Sequence, residues 1–228
     1  FDKCIEVYNK WNKKNSQTLE NIKFKYELSF AKESHIYTDY EKISLSDVQN
    51  FEESVLLQKV ITGSNDTPVG QFIKLLESSD WVKQGLGYLN NTKNTCPFFF
   101  FFISDELQSN IRTYFDDEYE KDCQKLNKFI LNYRLHFDEL IDKLSSIVEN
   151  KIPILDFSLF QSKVESLTNL VKLNKDILCQ KEKSPSNKVE IDSVIDLVKD
   201  INGIIDSFNS KIKENNNTSK PKNLNGFL

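Results

Sequence analysis

Apolar residues recur every three or four positions along most of this chain, as they do in amphipathic helices packed on one face. The longest run steps alternately by four and three residues for about four heptads, which predicts a coiled-coil seam. Its members are Tyr119, Cys123, Leu126, Ile130, Tyr133, Phe137, Leu140, Leu144 and Ile147. With a lead-in from Ser104, the pattern predicts a single helix of roughly 45 residues, about 70 Å long at 1.5 Å per residue.

Two more seams follow, and each is bounded by helix-breaking residues. Pro153 should end the long helix near Asn150, and the sequence Ser-Pro-Ser-Asn at 184–187 should end the next one. The second seam has Asn174 in a core position, where asparagine lowers stability but can fix the register of packed helices. The two seams consist of Phe160, Val164, Leu167, Val171 and Leu178, and of Ile191, Val194, Val198, Ile201, Ile205, Phe208 and Ile212.

The beginning of the chain carries a weaker version of the same pattern. One helical seam contains Ile5, Tyr8, Leu19, Ile22 and Tyr26, with Asn12 and Asn15 at its two remaining positions. From Ile22 to Phe30 the apolar residues also alternate strictly, which is typical of a strand. A continuing helix and a short strand both stay open here, and we favour a helix that becomes irregular near Ser34.

Residues 62–103 differ from the rest, since they hold four of the six glycines and one of the two tryptophans. Asp66 or Thr67 should cap a helix that has Pro68 at its first position. We expect two short helices, 69–78 and 79–90, and expect Gly85-Leu-Gly87 to mark a helix end. The first helix should bury Val69, Phe72, Ile73, Leu75 and Leu76, and the second carries Trp81, Val82, Leu86 and Leu89.

These patterns predict an all-α protein, either a long antiparallel coiled-coil hairpin or an elongated helical bundle, with a small helical cap. We expect an outgoing helical arm with an irregular segment over 1–61 and a cap of loops and short helices over 62–103. A returning coiled-coil arm with breaks near Pro153 and Pro185 should cover 104–215, and a disordered tail 216–228. The pattern leaves open whether the arms pair within one chain or between chains.

The composition fits helices with one buried stripe better than a thick globular core, because 39% of residues are hydrophobic and 28% are charged. The net charge of −4 mixes both signs without a basic stripe, so nucleic acid is not indicated as a partner. No apolar stretch approaches the roughly 18 residues of a membrane span, and no signal-peptide pattern is present. We therefore expect no membrane partner and a cytoplasmic protein whose four cysteines are reduced.

No motif for catalysis or cofactor binding stands out in the sequence. There is no G-x-x-x-x-G-K-[ST] loop, and the two histidines, His35 and His136, have no partners in the pattern. Acidic pairs such as Asp116-Asp117 fit the solvated face of a coiled coil. We expect this segment itself not to be an enzyme and to have no catalytic or cofactor-binding residue.

Cys96-Pro97-Phe98 is the sequence with the clearest link to metal chemistry. A Cys-Pro-x-Cys knuckle at a hairpin tip supplies two thiolates, and two subunits then complete a tetrahedral zinc site. Phe99 stands where the second cysteine would be, so Cys96 is an ordinary loop residue or at most half of a degenerate hook. The five phenylalanines at 98–102 would rarely be left exposed. Either the run is buried in a dimer contact, or it does not represent the natural residues.

Several sequences of the cap together resemble a known family. They are Ile61-Thr-Gly-Ser-Asn-Asp-Thr-Pro68, Ser79-Asp-Trp-Val-Lys-Gln-Gly-Leu-Gly-Tyr-Leu89 and Cys96-Pro-Phe98. They are similar to the coiled-coil insert of bacterial AAA/ABC-type, SMC-like ATPases related to the anticodon nucleases PrrC and RloC and to similar phage-defence proteins. Leu197 to Asn215, with Ile201-Asn-Gly-Ile-Ile205 and Phe208-Asn209, resembles the returning arm, so the likeness covers about residues 50–215.

The resemblance implies an ATPase head outside this chain, where ATP and Mg would bind, with or without a nuclease domain. It also implies a Cys-Pro-Phe-Cys tip, from which this chain departs at Phe99, so zinc would fit only if Phe99 is not the natural residue. The expected function is the coiled-coil and tip segment of a phage-defence-type ATPase, serving dimerisation and relay of nucleotide state.

The expected partners are a second copy, bound through the tip or the coil, and the head domains of the same protein. Contacts at the tip or dimer interface are expected from Trp81, Cys96, Pro97 and Phe98. The alternative function is a stand-alone helical protein–protein interaction module without ATPase partner domains.

Overall fold

The computed structural model describes residues 3, 6, 36–92, 94–96 and 99–219. Its helices are α1 Leu45–Glu52, α2 Val55–Gln58, α3 Pro68–Leu75, α4 Ser79–Asn91, α5 Asp105–Tyr114, α6 Asp117–Glu149, α7 Ser158–Lys183 and α8 Ile195–Ser219. The prediction of a mainly helical protein is confirmed over these residues. The choice between helix and strand at 22–30 lies outside the described residues. No helix in the described part of the chain is both long and apolar enough to cross a membrane.

The chain divides into two compact units. The larger unit comprises residues 42–151 and 156–204, and the described part of the smaller unit includes residues 36–41, 152–155 and 205–219. Helix α8 contributes its residues up to Ile204 to the larger unit and its later residues to the smaller one.

Helices α6 and α7 form the centre of the larger unit and run antiparallel. Arg134 on α6 pairs with Glu182 on α7 at 2.9 Å, and Asp138, one turn later on α6, pairs with Lys175, which lies earlier on α7. Most positions of both predicted seams are buried; among those with no exposed surface are Leu126, Phe137, Phe160, Leu167 and Leu178. Burial of this apolar repeat is what stabilises helices of such length, because helix propensity alone does not.

The long helix is shorter than its sequence pattern predicts. Helix α5 ends at Tyr114 and α6 begins only at Asp117, so the expected helix of roughly 45 residues is interrupted between them. Asp116 caps α6 by accepting a hydrogen bond from the backbone N–H of Tyr119 at 2.9 Å. The helix ends predicted near Pro153 and at 184–187 are confirmed, since α6 ends at Glu149 and α7 at Lys183.

A buried lysine ties the non-helical segments of the larger unit together. Lys181 on α7 has no exposed surface, and its ammonium group donates to the backbone carbonyls of Lys59, Pro185 and Asn187. Burial lowers the pKa of this amine. Three carbonyls use all three donors of an ammonium group, which makes its burial tolerable. These bonds hold residue 59 beside residues 185–187.

Asparagines hold extended backbone in a second recurring arrangement. In the larger unit, the Asn174 amide on α7 accepts from the N–H of Asp192 and donates to its carbonyl, both at 2.8 Å. Asn202 on α8 binds Ile43 in the same two-bond manner, at 2.8 and 2.9 Å. Asn174 was expected to weaken its seam, but its amide is matched to a main-chain N–H and C=O that need partners.

The smaller unit repeats this arrangement twice along α8. Asn209 binds both main-chain groups of Tyr40, each at 2.8 Å, and Asn216 binds those of Tyr37 at 3.1 and 2.8 Å. Seven helical residues rise about 10.5 Å, and three extended residues span about 10 Å, so the two spacings match. Helix α8 extends to Ser219, beyond the predicted boundary at 215, and Asn216 is thus part of the helix.

Candidate functional site: the apolar tip

Residues 62–103, which the sequence sets apart, belong to the larger unit and include α3 and α4; we call them the tip. Thr67 caps α3 by accepting from the N–H of Gly70 at 3.0 Å, and Pro68 occupies the first turn, so this predicted helix start is confirmed. Helix α3 ends where Glu77 adopts a left-handed φ of 49°. The chain therefore turns at once into α4, which begins at Ser79.

Two glycines of the tip, Gly63 and Gly70, allow the backbone to pack closely against Tyr114. A Cβ atom at Gly63 would lie 2.2 Å from the carbonyl oxygen of Tyr114 and 2.7 Å from its ring. At Gly70 it would lie 2.5 Å from the carbonyl oxygen of Ser64 and 3.0 Å from the same ring. Tyr114 is 1% exposed, so the glycines of the 61–70 sequence give room to the largest side chain at this point.

An apolar pocket of about 320 Å³ opens beside α4. Its walls include Trp81, Gly85, Tyr88, Cys96, Ile103 and Ile111. The prediction that Gly85-Leu-Gly87 ends a helix is wrong, because α4 continues through it to Asn91. A Cβ atom at Gly85 or Gly87 would meet nothing within 4 Å, so neither glycine is required by packing. At Gly85 the missing side chain instead leaves the pocket open.

The segment after α4 folds back on itself as a short hairpin. Residues 94–96 pair antiparallel with residues 101–103: the N–H of Cys96 donates to the carbonyl of Phe101 at 2.8 Å, and that of Ile103 to Asn94 at 2.9 Å. Phe100 has a φ of 57°, in the left-handed region that bulky residues rarely adopt. Such strain persists only where surrounding bonds impose it, and it is concentrated at functional sites.

The hairpin presents its aromatic residues to solvent. Phe99, Phe100, Phe101 and Phe102 are 73, 82, 75 and 67% exposed. Of the residues that α3 was expected to bury, Ile73 is buried, whereas Phe72, Leu75 and Leu76 are more than half exposed. This part of the burial prediction is wrong, because a short helix at the surface packs on one side only. Trp81 and Tyr88 on α4 are also exposed, at 63 and 58%.

The predicted tip residues are only partly described. Trp81 and Cys96 line the same pocket, so the structure brings these two together. Pro97 and Phe98 lie outside the described residues. Among the residues that are described, no group of three or more His, Cys, Asp or Glu side chains is placed to hold a metal ion. A four-thiolate hook needs a second cysteine from each chain, and position 99 holds phenylalanine, so Cys96 alone cannot complete such a site.

A smaller recess lies between α4, α6 and the end of α7, and Cys123 is one of its lining residues. Cys123 lies beside Tyr119, and burial raises the pKa of both groups. A raised thiol pKa keeps Cys123 in its unreactive neutral form. The Lys83 ammonium covers the rings of Phe115 and Tyr119, 4.8 and 4.9 Å from their centroids, and pairs with Glu120. The contacts favour a structural role for this recess, in which cation–π attraction fastens α4 to the start of α6.

The sequence pattern did not reveal the exposed apolar surface or the asparagine bonds. A helical repeat marks which residues share a face, but not whether another element of the same chain covers that face. The run of five phenylalanines was the one available signal for the surface. The heptad spacing of Asn202, Asn209 and Asn216 was the available signal for the bonds.

Comparison with known proteins gives one match. A family profile described as an AAA domain, AAA_13, matches residues 1–223. No curated protein and no solved structure matches the chain. Because the profile covers nearly the whole of the 228 residues, the chain belongs to the AAA_13 family of AAA-domain proteins, which are related to SMC-like ATPases.

Proposed function

We propose that this chain is the coiled-coil and tip segment of a phage-defence-type ATPase, and that it dimerises through the tip and relays nucleotide state along its helices. The exposed apolar surface of the tip carries this proposal. Monomeric proteins rarely expose apolar patches beyond about 300–600 Å² unless the patch binds something. The family match supports an ATPase context, and the sequence likeness to inserts of PrrC- and RloC-related proteins supports a role between the ATPase head and a partner.

The exposed area is sufficient for a stable contact. An aromatic side chain offers about 150–250 Å², so Phe99–Phe102, Trp81 and Tyr88 at their observed exposures offer on the order of 700–900 Å² together. A standard interface buries about 800 Å² on each partner. The tip alone therefore provides the area that a specific dimer needs.

The asparagine bonds support the proposed relay. In the smaller unit, the segment containing Tyr37 and Tyr40 is bound through its main chain, so the bonds do not depend on its side chains. An intermediate shift would leave the half-buried amides of Asn209 and Asn216 without partners, at up to about 1–3 kcal/mol for each group. A shift by three extended residues against seven helical ones would restore the geometry. Motion in such discrete steps is suited to transmitting a two-state signal.

Analytical ultracentrifugation of the chain at micromolar concentrations tests the dimer. The wild type should sediment as a dimer, and Phe99→Ser with Phe101→Ser should shift it to monomer. The matched control is Leu131→Ser with Leu135→Ser on α6, two apolar residues that are 53 and 59% exposed away from the tip. Dissociation by the control pair and not by the tip pair would place the interface on the coil. A monomeric wild type would overturn the proposed dimer.

The ATPase context is tested by the coding sequence on either side of this chain. We expect a phosphate-binding G-x-x-x-x-G-K-[ST] loop encoded in the same reading frame. If neither flank encodes one, the stand-alone interaction module becomes the better description.

A further inference from the structure

We propose that two tips interlock reciprocally, with Phe100 of each copy inserted into the pocket between Trp81 and Tyr88 of the other. This inference rests on the proposed tip dimer and specifies its contacts. It identifies the partner as a second copy of this chain, and it assigns the strained hairpin and the open pocket to a single function.

The first argument is that the described structure has both an exposed aromatic ring, Phe100, and an open apolar pocket of matching chemistry. Phe100 is 82% exposed and lies near the turn of a hairpin held by main-chain hydrogen bonds. The pocket of about 320 Å³ is lined mainly by aromatic and aliphatic side chains. An apolar cavity of about 150 Å³ already binds benzene, so this pocket has room for a benzyl group.

The second argument concerns symmetry. A two-fold dimer uses the same patch on both partners, so the patch must be complementary to itself. A patch with only protruding rings would suit many apolar surfaces, whereas this one holds both the ring and the cavity that accepts it. In the dimer, each copy then inserts one Phe100 ring and accepts the ring of the other, so the same contact is made twice.

The third argument is the backbone of the hairpin. The left-handed φ of 57° at Phe100 would suit glycine or asparagine far better than phenylalanine. Packing within the chain does not explain a bulky ring at this position, because the ring is almost fully exposed. Insertion into a partner gives the ring a role for which glycine or asparagine could not substitute.

Pocket filling provides the sharpest experiment. Gly85→Leu should fill the pocket and weaken dimerisation at least tenfold, because an added side chain there meets open space and leaves the fold intact. Gly87→Leu is the matched control: it lies on the same helix, also faces open space and does not line the pocket, so its dimerisation constant should stay within about twofold. Thermal unfolding of both variants checks that each is folded.

Mixing two defective variants then tests reciprocity. Phe100→Ser removes the ring but keeps the pocket, and Gly85→Leu keeps the ring but closes the pocket. Neither should dimerise well alone, whereas the mixture should form heterodimers, because one insertion is intact. Fluorescently labelled proteins would report this as energy transfer that appears only on mixing.

The outcomes of these experiments distinguish the reciprocal interlock from the tip dimer on which it rests. The interlock would be overturned, and tip dimerisation left standing, by either of two results. One is a Gly85→Leu variant that dimerises as well as the wild type. The other is a mixture of Phe100→Ser and Gly85→Leu that forms no heterodimer. A wild type that is monomeric at all concentrations would overturn both. A monomer that instead sediments with phosphatidylcholine vesicles would show that the phenylalanines contact lipid.

Discussion

The tip differs from the rest of the larger unit in which side chains it exposes and which it buries. We call α6, α7 and the non-helical segments bound to them the body. The tip leaves Phe99–Phe102 and Trp81 exposed, whereas the body encloses Lys181 and Asn174 almost completely. Both of these buried side chains meet main-chain atoms of segments that belong to no helix. Those segments have N–H and C=O groups that need partners, so polar side chains can be buried there at low cost. The Phe99–Phe102 side chains are instead largely exposed in the described structure, so we propose a partner for them outside the chain.

The largest expected effect comes from breaking the buried lysine bonds of the body. Lys181→Met should lower the free energy of unfolding by about 3–5 kcal/mol, because three carbonyls lose their shared donor. Urea denaturation measures the loss. Lys172→Met, an exposed lysine on the same helix, is the control and should change stability by less than about 0.5 kcal/mol. Equal effects would show that the buried position of Lys181 is unimportant.

The next effect tests whether the exposed surface of the tip covers a tightly packed interior. Gly63→Ala should cost about 3 kcal/mol, because its Cβ would meet the carbonyl oxygen of Tyr114, which is backbone and cannot move aside. Gly87→Ala should instead stabilise the protein by about 0.5–1 kcal/mol, since it removes a glycine from a helix without a clash. Thermal unfolding of the two variants should move in opposite directions. A stable Gly63→Ala protein would indicate a loosely packed tip.

A smaller effect is expected for one asparagine of the smaller unit. Asn209→Ala should cost about 1–2 kcal/mol, because Tyr40 loses both main-chain partners, although alanine favours the helix slightly. Hydrogen exchange of the Tyr40 amide should accelerate in this variant. Lys211→Ala on the same helix should leave that exchange rate unchanged. Unchanged protection in Asn209→Ala would argue against the bonds that the relay requires.

The smallest effect is a pH-dependent one within the body. The hydrogen bond from the Lys59 ammonium group, at 2.6 Å, and a second from Lys125 hold the pKa of the Asp122 carboxyl below its usual value. A depressed pKa contributes stability above about pH 4 that is lost as the pH falls through the folded-state value. Asp122→Asn should therefore be less stable than wild type by about 1–2 kcal/mol at neutral pH, with the difference vanishing in acid. Urea midpoints between pH 7 and 3 measure it, and a constant difference would contradict the assignment.

The seams show how much of the fold follows from pattern alone. Residues such as Leu126, Phe137 and Ile205 were predicted to be buried from their spacing, and they are. The same reasoning failed at Phe72, Leu75 and Leu76, which share a helical face but have no neighbour to cover them. It also missed the break between α5 and α6, since the apolar spacing continues across it while Asp116 restarts the helix.

The candidate site was likewise predicted only in part from the sequence. The sequence singled out Trp81 and Cys96, and these residues do line one pocket. It did not predict that pocket, because a cavity depends on how α4, α5 and the hairpin approach one another. Nor did it predict the role of Asn174, whose partner Asp192 lies 18 residues away and is brought to it by the turn after α7.

The sequence by itself determined the helical class, the heptad seams, the capped start at Thr67-Pro68 and the breaks near Pro153 and Pro185. These features depend on side-chain periodicity, ring constraints and capping, which act over a few residues. Only the tertiary structure decided which apolar residues stay exposed and which polar residues are matched to distant backbone. Burial and hydrogen bonding of that kind depend on what the rest of the chain brings into contact, and no local pattern records it.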